Sequence, residues 1–580
     1  MRFNAVIDSR QPGRCKPHYN RSGGQGMQTF DIDQVSLAIE ERPQQAGCAV
    51  AVCILAGAAW ELPDEEGCAH LLEHVVCGTP GPDGLSEPVM SAGGTFDAWT
   101  SHDAMQFRAW FPATAVSAVM PRFLHALCAL DLHDETLQAE KARVIHETTP
   151  GATDPAQQAL RQLLDQRYRN HPYGRSVQGR VDAIGRVSTG TLRAFRNRMV
   201  RRPRMSVAVV GPVPASVVFG LVRDGLAGLD GGEPLPTVLP DAPRGTGITD
   251  SVVISDDVAH LALGLALPTI RHPDLPALER LSSLLSEPRF GGLNAWRLSS
   301  QEVQEASAIT HLSMAGGTLV IRAVTGSDRV DEARRGLVAV LTDMLRCGPS
   351  TDALDAARAE AITDLLVATE TSSGRAALMA HGLGVVNDPD FAIHTLQRAL
   401  ALTPERLVEA WQRHLRDPEP GGSAAAEAWP KKPTASLRHA AATLPGVTSL
   451  DAARIRLAGG VRHEVPATNG LHALLATCLA HELTAPASTG PSRDLARLGA
   501  RVGMDVGWDG LDVWVDAPRE RLIEAVGVVC EAWRHPRLDS AVLSRERERL
   551  LHRIRSRVGR PRALVQVELC AMAFAGHPYG

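Results

Sequence analysis

The chain has 580 residues, 44% of them hydrophobic and 22% charged, and a formal net charge of −5. That length exceeds what one hydrophobic core supports and suggests roughly three or four domains, while the charge gives no footprint for nucleic acid or an anionic membrane surface. The ten cysteines are scattered without a CxxC pair, the usage expected of reduced, mostly buried thiols in a cytoplasmic protein.

Residues 1–28 are polar and lack an apolar signal core. They read as a disordered or mis-annotated tail, with Met27 a second candidate start. The longest apolar run, Ala46 to Ala59, falls short of the about 20 residues a membrane helix needs, and its Val50, Val52 and Ile54 indicate a buried strand. "EEGCAHLLEHVV" (65–76) has helical patterning, with acids at its start that suit the helix dipole. "GGTFDAWTSHDAMQFRAWF" (93–111) reads as a Gly-opened strand pair. Helices follow at about 114–130, at 134–148 and after Pro155, and "RMSVAVVG" (204–211) closes the unit as a strand. These elements make one α+β domain, 29–230. After a Gly/Pro-rich passage, a second unit spans 245–416, with strands such as "HLALGLAL" and "GTLVIRAVTG" leading into long Ala- and Leu-rich helices. Residues 417–445 have linker composition.

The remainder, 446–580, repeats the first domain. "LHDETLQAEKARVIHE" (132–147) aligns with "LDSAVLSRERERLLHR" (538–553), and in the same register Pro112 meets Pro518, Pro155 meets Pro561 and "HPYG" at 171–174 meets "HPYG" at 577–580. Internal repeats of this kind mark duplicated domains.

Chemistry concentrates in "GCAHLLEHVVCGT" (67–79). Residues four apart share a helix face, so His70 and His74 project together with Glu73 beside them. Two neutral imidazoles, one further ligand and a carboxylate free to take a proton are the parts of a hydrolytic zinc site. A surface helix with two solvated histidines is the plain alternative. Glu140 and Glu147 stand two turns apart on the 134–148 helix; they are either a solvated acidic stripe or, for Glu147, the third ligand, with Glu140 orienting an imidazole. The repeat discriminates. Setting Gly67 on Gly470 puts Ala473, Ala476 and Thr477 at the places of His70, Glu73 and His74, and Arg553 at the place of Glu147, while Glu546 keeps that of Glu140. Losses that fall together point to a shared chemical role rather than a scaffold.

"AGAAWELPDEEGCAHLLEHVVCGT", "EKARVIHE" and "HPYGRSVQGRVDAI" followed by "MSVAVVG" resemble the inverted-motif zinc peptidases, the insulinase, pitrilysin and mitochondrial processing peptidase family. The resemblance covers about 29–416, with 446–580 similar to part of a degenerate second half. It implies an α+β fold of repeated insulinase-type domains, each a mainly antiparallel sheet packed against helices, in a clamshell with an incomplete second half. It also implies a zinc-dependent endopeptidase acting on peptides or unfolded segments. One Zn2+ per chain would be bound by His70, His74 and Glu147, with Glu73 as general base and Glu140 in support. "GGTFDAWT" resembles the strand that pairs with substrate backbone, so Asp97 and Ala98 become substrate contacts; Asp97 stands where the family usually has Asn, and a turn Asp is its ordinary reading. The alternative function is a non-catalytic structural or assembly subunit of a two-chain peptidase-like complex. Expected partners are a peptide substrate and a partner subunit or second copy completing the chamber, with neither nucleic acid nor membrane. Cys68 and Cys77 read as small core thiols. Arg297 reads as a helix-surface arginine, and His102, His146 and His171 as ordinary polar-face residues.

Overall fold

The computed structural model describes residues 27–79, 84–128, 132–148, 154–232, 239–240, 242, 247–255, 257–287, 291–300, 303–415, 450–458, 460–484, 490–558 and 561–575. The tail at 1–26, the linker at 417–445 and the second "HPYG" lie outside them. Met27 and Gln28, expected in the tail, instead open the first strand, because Met27 pairs with Glu40 and is buried.

Three sheets organise the described residues. The first contains β1 (Met27–Ile32), β2 (Val35–Glu41), β3 (Gly47–Ile54), β4 (Thr95–Thr100), β5 (Met105–Pro112) and β6 (Met205–Gly211), in the order β1-β2-β6-β3-β5-β4. All its pairings are antiparallel except β2 with β6. The second holds β7 (Thr249–Ser255), β8 (Val258–Leu267), β9 (Val303–Ser313) and β10 (Gly316–Gly326), in the antiparallel order β7-β8-β10-β9.

The β3 sequence shows why the first sheet is buried on both faces. Cys48, Val50, Val52 and Ile54 enter one core with the helices Cys68–Gly78 and Val116–Cys128. The intervening Ala49, Ala51 and Cys53 join Ala376, Met379 and Ala380 of the helix Ser372–Val386 in another. Small residues on that face let the helix approach closely: a Cβ on Gly384 would stand 3.0 Å from the Cys53 sulfur. The converse packing occurs behind the second sheet, where Ala159 and Leu163 of the helix Pro155–Arg167 lie against Ala262 and Val320. Each sheet is therefore backed by a helix that the sequence attaches to the other.

The third sheet, β11 (Leu450–Ala458), β12 (Arg501–Val506) and β13 (Gly510–Pro518), has the antiparallel order β11-β13-β12. The repeat is visible in three dimensions. β12 and the helices Leu522–Arg534 and Pro561–Ala573 follow β4, Val116–Cys128 and Pro155–Arg167 in the register of the sequence alignment. The entry to the duplicated helix is preserved as well. Glu61 accepts hydrogen bonds from the amides of Gly67 and Ala69 at 3.0 and 2.8 Å, and Glu464 accepts from those of Gly470 and His472 at 2.7 and 2.6 Å. Both glycines adopt the left-handed conformation, with φ of 88° and 91°, which is the reason for glycine there.

Arg297 is not a surface residue. It is buried on the helix Gly292–Ser299, bonded to Asn294, and lies within electrostatic reach of Glu546, Arg545 and Arg549 from the third unit. Among the described residues no helix is long and apolar enough to cross a membrane.

Candidate metal centre

The helix Cys68–Gly78 buries Leu71, Leu72, Val75 and Val76 and turns His70 and Glu73 toward a cleft of about 1520 Å³, with His74 one turn on from His70. Its neighbour, the helix Asp134–Thr148, is fixed on its far side by buried Lys141, which donates to the carbonyls of Gly185 and Val187 at 2.8 and 2.9 Å. That packing brings Glu140 and Glu147 to opposite edges of one imidazole. His74 Nδ1 lies 3.4 Å from Glu140 Oε2, and His74 Nε2 lies 3.6 Å from Glu147 Oε2. Glu140 is 3% exposed and also accepts from Arg143. The helix can come so close because residue 78 is glycine: a Cβ there would collide with the Glu140 carboxylate.

The rings of His70 and His74 meet edge to face, 4.6 Å apart. Ligand-type atoms of His70, His74 and Glu147 all lie within 4.8 Å of one another. His70 Nδ1 is buried and makes no hydrogen bond among the described residues, a costly state unless something satisfies it. Burial and the neighbouring His74 push the His70 pKa down to about 4, so the ring is neutral, as a ligand must be, at physiological pH. Two imidazoles, a half-exposed carboxylate and an orphaned buried nitrogen fit a zinc ion.

Glu73 lies outside this trio. Burial raises its pKa, against the opposing pull of Thr100 and His74, and the Thr100 hydroxyl donates to its Oε2 at 2.6 Å. Sequence reasoning missed Thr100. It closes β4, and only the packing of β4 over the site helix brings the two together.

Ala98 lines the cleft with His70 and Glu73. Asp97 is mid-strand rather than in a turn, points to the opposite face of the sheet and pairs with Arg108 at 2.5 Å. His146 is exposed, whereas two other histidines expected on polar faces are built into the frame. His171 is buried, bonded through Nε2 to the Pro240 carbonyl at 2.8 Å and accepting at Nδ1 from the Tyr173 amide. His102 bonds the Arg175 carbonyl at 3.0 Å. The "HPYG" tyrosine, Tyr173, donates to Asp103 at 2.7 Å and accepts from the Ala315 amide at 2.9 Å, pinning the second sheet to the first unit. Burial pushes both thiols flanking the site, Cys68 and Cys77, well above the ordinary range.

The equivalent place in the third unit carries no metal-ligand grouping among the described residues. Glu546 remains buried but pairs with Arg549 at 3.1 Å and faces His481 at 3.8 Å. A further grouping, His272, Asp274 and His414, is accounted for by its own hydrogen bonds. The Asp274 amide donates to His272 Nδ1 at 3.1 Å, and the Asp274 carboxylate bonds His414 at 2.9 Å and Arg413 at 2.5 Å. A guanidinium already occupies the carboxylate.

Comparison with known proteins gives the family and the fold. The profile described as Insulinase (Peptidase family M16) matches residues 36–180, and that described as Peptidase M16 inactive domain matches 186–361. Zinc protease PqqE of Helicobacter pylori is 27% identical over 384 residues, 62% of this chain and 83% of that protein. An uncharacterized zinc protease of Mycobacterium tuberculosis is 26% identical over 394 residues, 64% of this chain and 86% of that protein. Subunit 1 of the mitochondrial cytochrome b-c1 complex of Bos taurus is 23% identical over 280 residues, 46% of this chain and 57% of the subunit. In fold, the chain resembles the crystal structure of a protease from Helicobacter pylori, with a TM-score of 0.62 at 21% identity over 67% of this chain and 97% of that one. It also resembles an M16 inactive-domain structure from Pseudomonas fluorescens, with a TM-score of 0.61 at 15% identity over 67% and 95%.

Proposed function

The chain belongs to the insulinase family, peptidase family M16, and on that premise we propose that it is a zinc-dependent endopeptidase acting on peptides or unfolded protein segments. The observation that carries this reading is the convergence of His70, His74 and Glu147 beside a separate half-buried carboxylate, Glu73. His70, His74 and Glu147 would hold the ion. When bound, zinc polarises a scissile carbonyl and lowers the pKa of water toward neutrality.

The chain's own residues supply the remainder. Glu140, facing His74 Nδ1, keeps a proton on that nitrogen and leaves the Nε2 lone pair toward Glu147. Glu73 accepts the proton of the attacking water and delivers it to the amide nitrogen as the C–N bond breaks; burial makes this carboxylate more basic than one in water. Thr100 holds one Glu73 oxygen and leaves the other to the water. β4 is terminal in its sheet, so its outer backbone N–H and C=O groups offer an extended peptide a ladder to join, with Ala98 at the metal-site face. The cytoplasmic setting expected from the cysteines belongs to the same proposal.

A second reading, a structural subunit working with a partner chain or a second copy, is favoured by the similarity to cytochrome b-c1 subunit 1 and by the missing metal residues of the third unit. An assay on an unstructured fluorogenic peptide, with zinc measured in the same samples, separates the two. Wild type should cleave in a chelator-sensitive manner, and Glu73→Gln should keep its zinc while losing at least about a thousandfold in kcat, because the general base is gone. Equal turnover by the two proteins would end the endopeptidase reading.

A further inference from the structure

β4 distributes its side chains to two different places. Phe96 packs into the core beside Phe123, with ring centroids 6.2 Å apart, and Ala98 and Thr100 join the cleft of the metal centre. Thr95, Asp97 and Trp99 occupy the alternate positions, with Trp99 large enough to line the cleft of the metal centre as well. On their side a second cleft, of about 770 Å³, opens between β4 and the helices Thr351–Glu370 and Ser372–Val386.

Four polar groups of this second cleft are engaged with one another. Gln106 bonds His381 at 2.8 Å, Arg108 pairs with Asp97, and the Arg108 guanidinium stands 5.2 Å from the centre of the Trp99 ring. Beside the small hydroxyls of Thr95, Thr371 and Ser373, what they leave for a guest is apolar: Trp99, Leu378 and Val367, the last 37% exposed. A charged guest would lose water without gaining a partner.

Residues opposite one another in paired strands project to the same sheet face, and successive residues alternate. A peptide laid along β4 must therefore send every second side chain toward the metal centre and the intervening ones into the second cleft. We propose that the second cleft is a specificity site that takes bulky apolar side chains, aromatic ones foremost, from the substrate residues alternating with those that face the metal centre. This rests on the reading of β4 as the substrate-pairing strand.

Two measurements test it. In Glu73→Gln protein, where turnover is removed, a short fluorescein-labelled peptide alternating Phe with Ser should bind about tenfold or more tightly than one alternating Ala with Ser, the factor expected for burying a large side chain. Val367→Lys in that background should reduce the ratio to about twofold or less, and Leu378→Lys should do the same, with thermal melts confirming that both variants fold. Equal affinity for the two peptides, or a ratio indifferent to both lysines, overturns the proposal. Cleavage-site mapping on a peptide library with wild-type enzyme should show bulky apolar residues at every second position around the cut, and a profile without that period overturns it too. If wild type cleaves nothing, the endopeptidase reading falls, and the binding ratios still decide whether the second cleft selects such side chains.

Discussion

Glu73 and His74 are neighbours in sequence with different surroundings, and that difference sorts their roles. His74 is held between two carboxylates of the adjacent helix, the setting of a ligand with its supporting acceptor. Glu73 touches neither carboxylate and bonds a threonine hydroxyl instead, the setting of a base whose position matters more than its charge partner. In the proposed mechanism Thr100 would be a positioning residue. Thr100→Val keeps the shape and removes the donor, at a cost of about 1.5–3 kcal/mol for a hydrogen bond to a charged group. We expect kcat to fall about tenfold or more with KM within about twofold and zinc content unchanged, and Thr100→Ser to recover most of the loss. Steady-state kinetics with metal analysis would show it; an equal fall in zinc would reassign Thr100 to the scaffold. The histidines and glutamates were legible in sequence because helical spacing fixes their neighbours, whereas Thr100 came from a strand whose approach to the helix no local pattern encodes.

At the scale of elements, the exchange of backing helices ties the first two sheets together. Its anchor is Arg375, at the start of the helix Ser372–Val386. It is 5% exposed and bonded to Glu40 of β2 at 2.7 Å and to Asp390 at 2.6 Å. Burial pushes the Glu40 carboxyl up, but Arg375 and Arg42 outweigh it and hold the pKa below the ordinary value. A carboxyl depressed in the folded state contributes stability above its unfolded pKa of about 4.5, and that contribution is lost as pH falls through the lower folded value. Arg375→Leu should therefore cost about 3–5 kcal/mol at neutral pH, the usual effect of stranding a buried charge. It should also flatten the acid-side fall in stability. Denaturant melts at pH 7 and at pH 4 would test both, and a variant as stable as wild type at pH 7 would remove Arg375 from the role of anchor.

Across the whole molecule, the third unit keeps the frame of the first without its chemistry. In the first site Gly78 leaves room for the Glu140 carboxylate beside His74. At the corresponding place the third unit has His481, which faces Glu546 directly, and the space between helices is given to Arg545, Arg549 and, from the second unit, Arg297. Arg297, buried within electrostatic reach of Glu546, Arg545 and Arg549, makes that spot a joint between units. Arg297→Ala should loosen it. Hydrogen exchange in the helix Ser540–Val558 should accelerate by about tenfold or more, because truncation removes the packing of a buried arginine stem while Glu546 keeps Arg549, and the helix Cys68–Gly78 should stay as protected as before. Unchanged exchange in Ser540–Val558 would show that the joint does not depend on Arg297.

The sequence alone determined the family, the mixed fold with its duplicated frame, and a short roll of side chains suited to a metal and a base. It could do so because a helical period and a constant repeat register are properties of the chain itself. Tertiary structure decided which groups stand across from one another. It buried Arg297 between units, built His171 into the frame and set Thr100 on Glu73. Each of these follows from how apolar faces of distant segments dock, and residue spacing carries no direct record of docking.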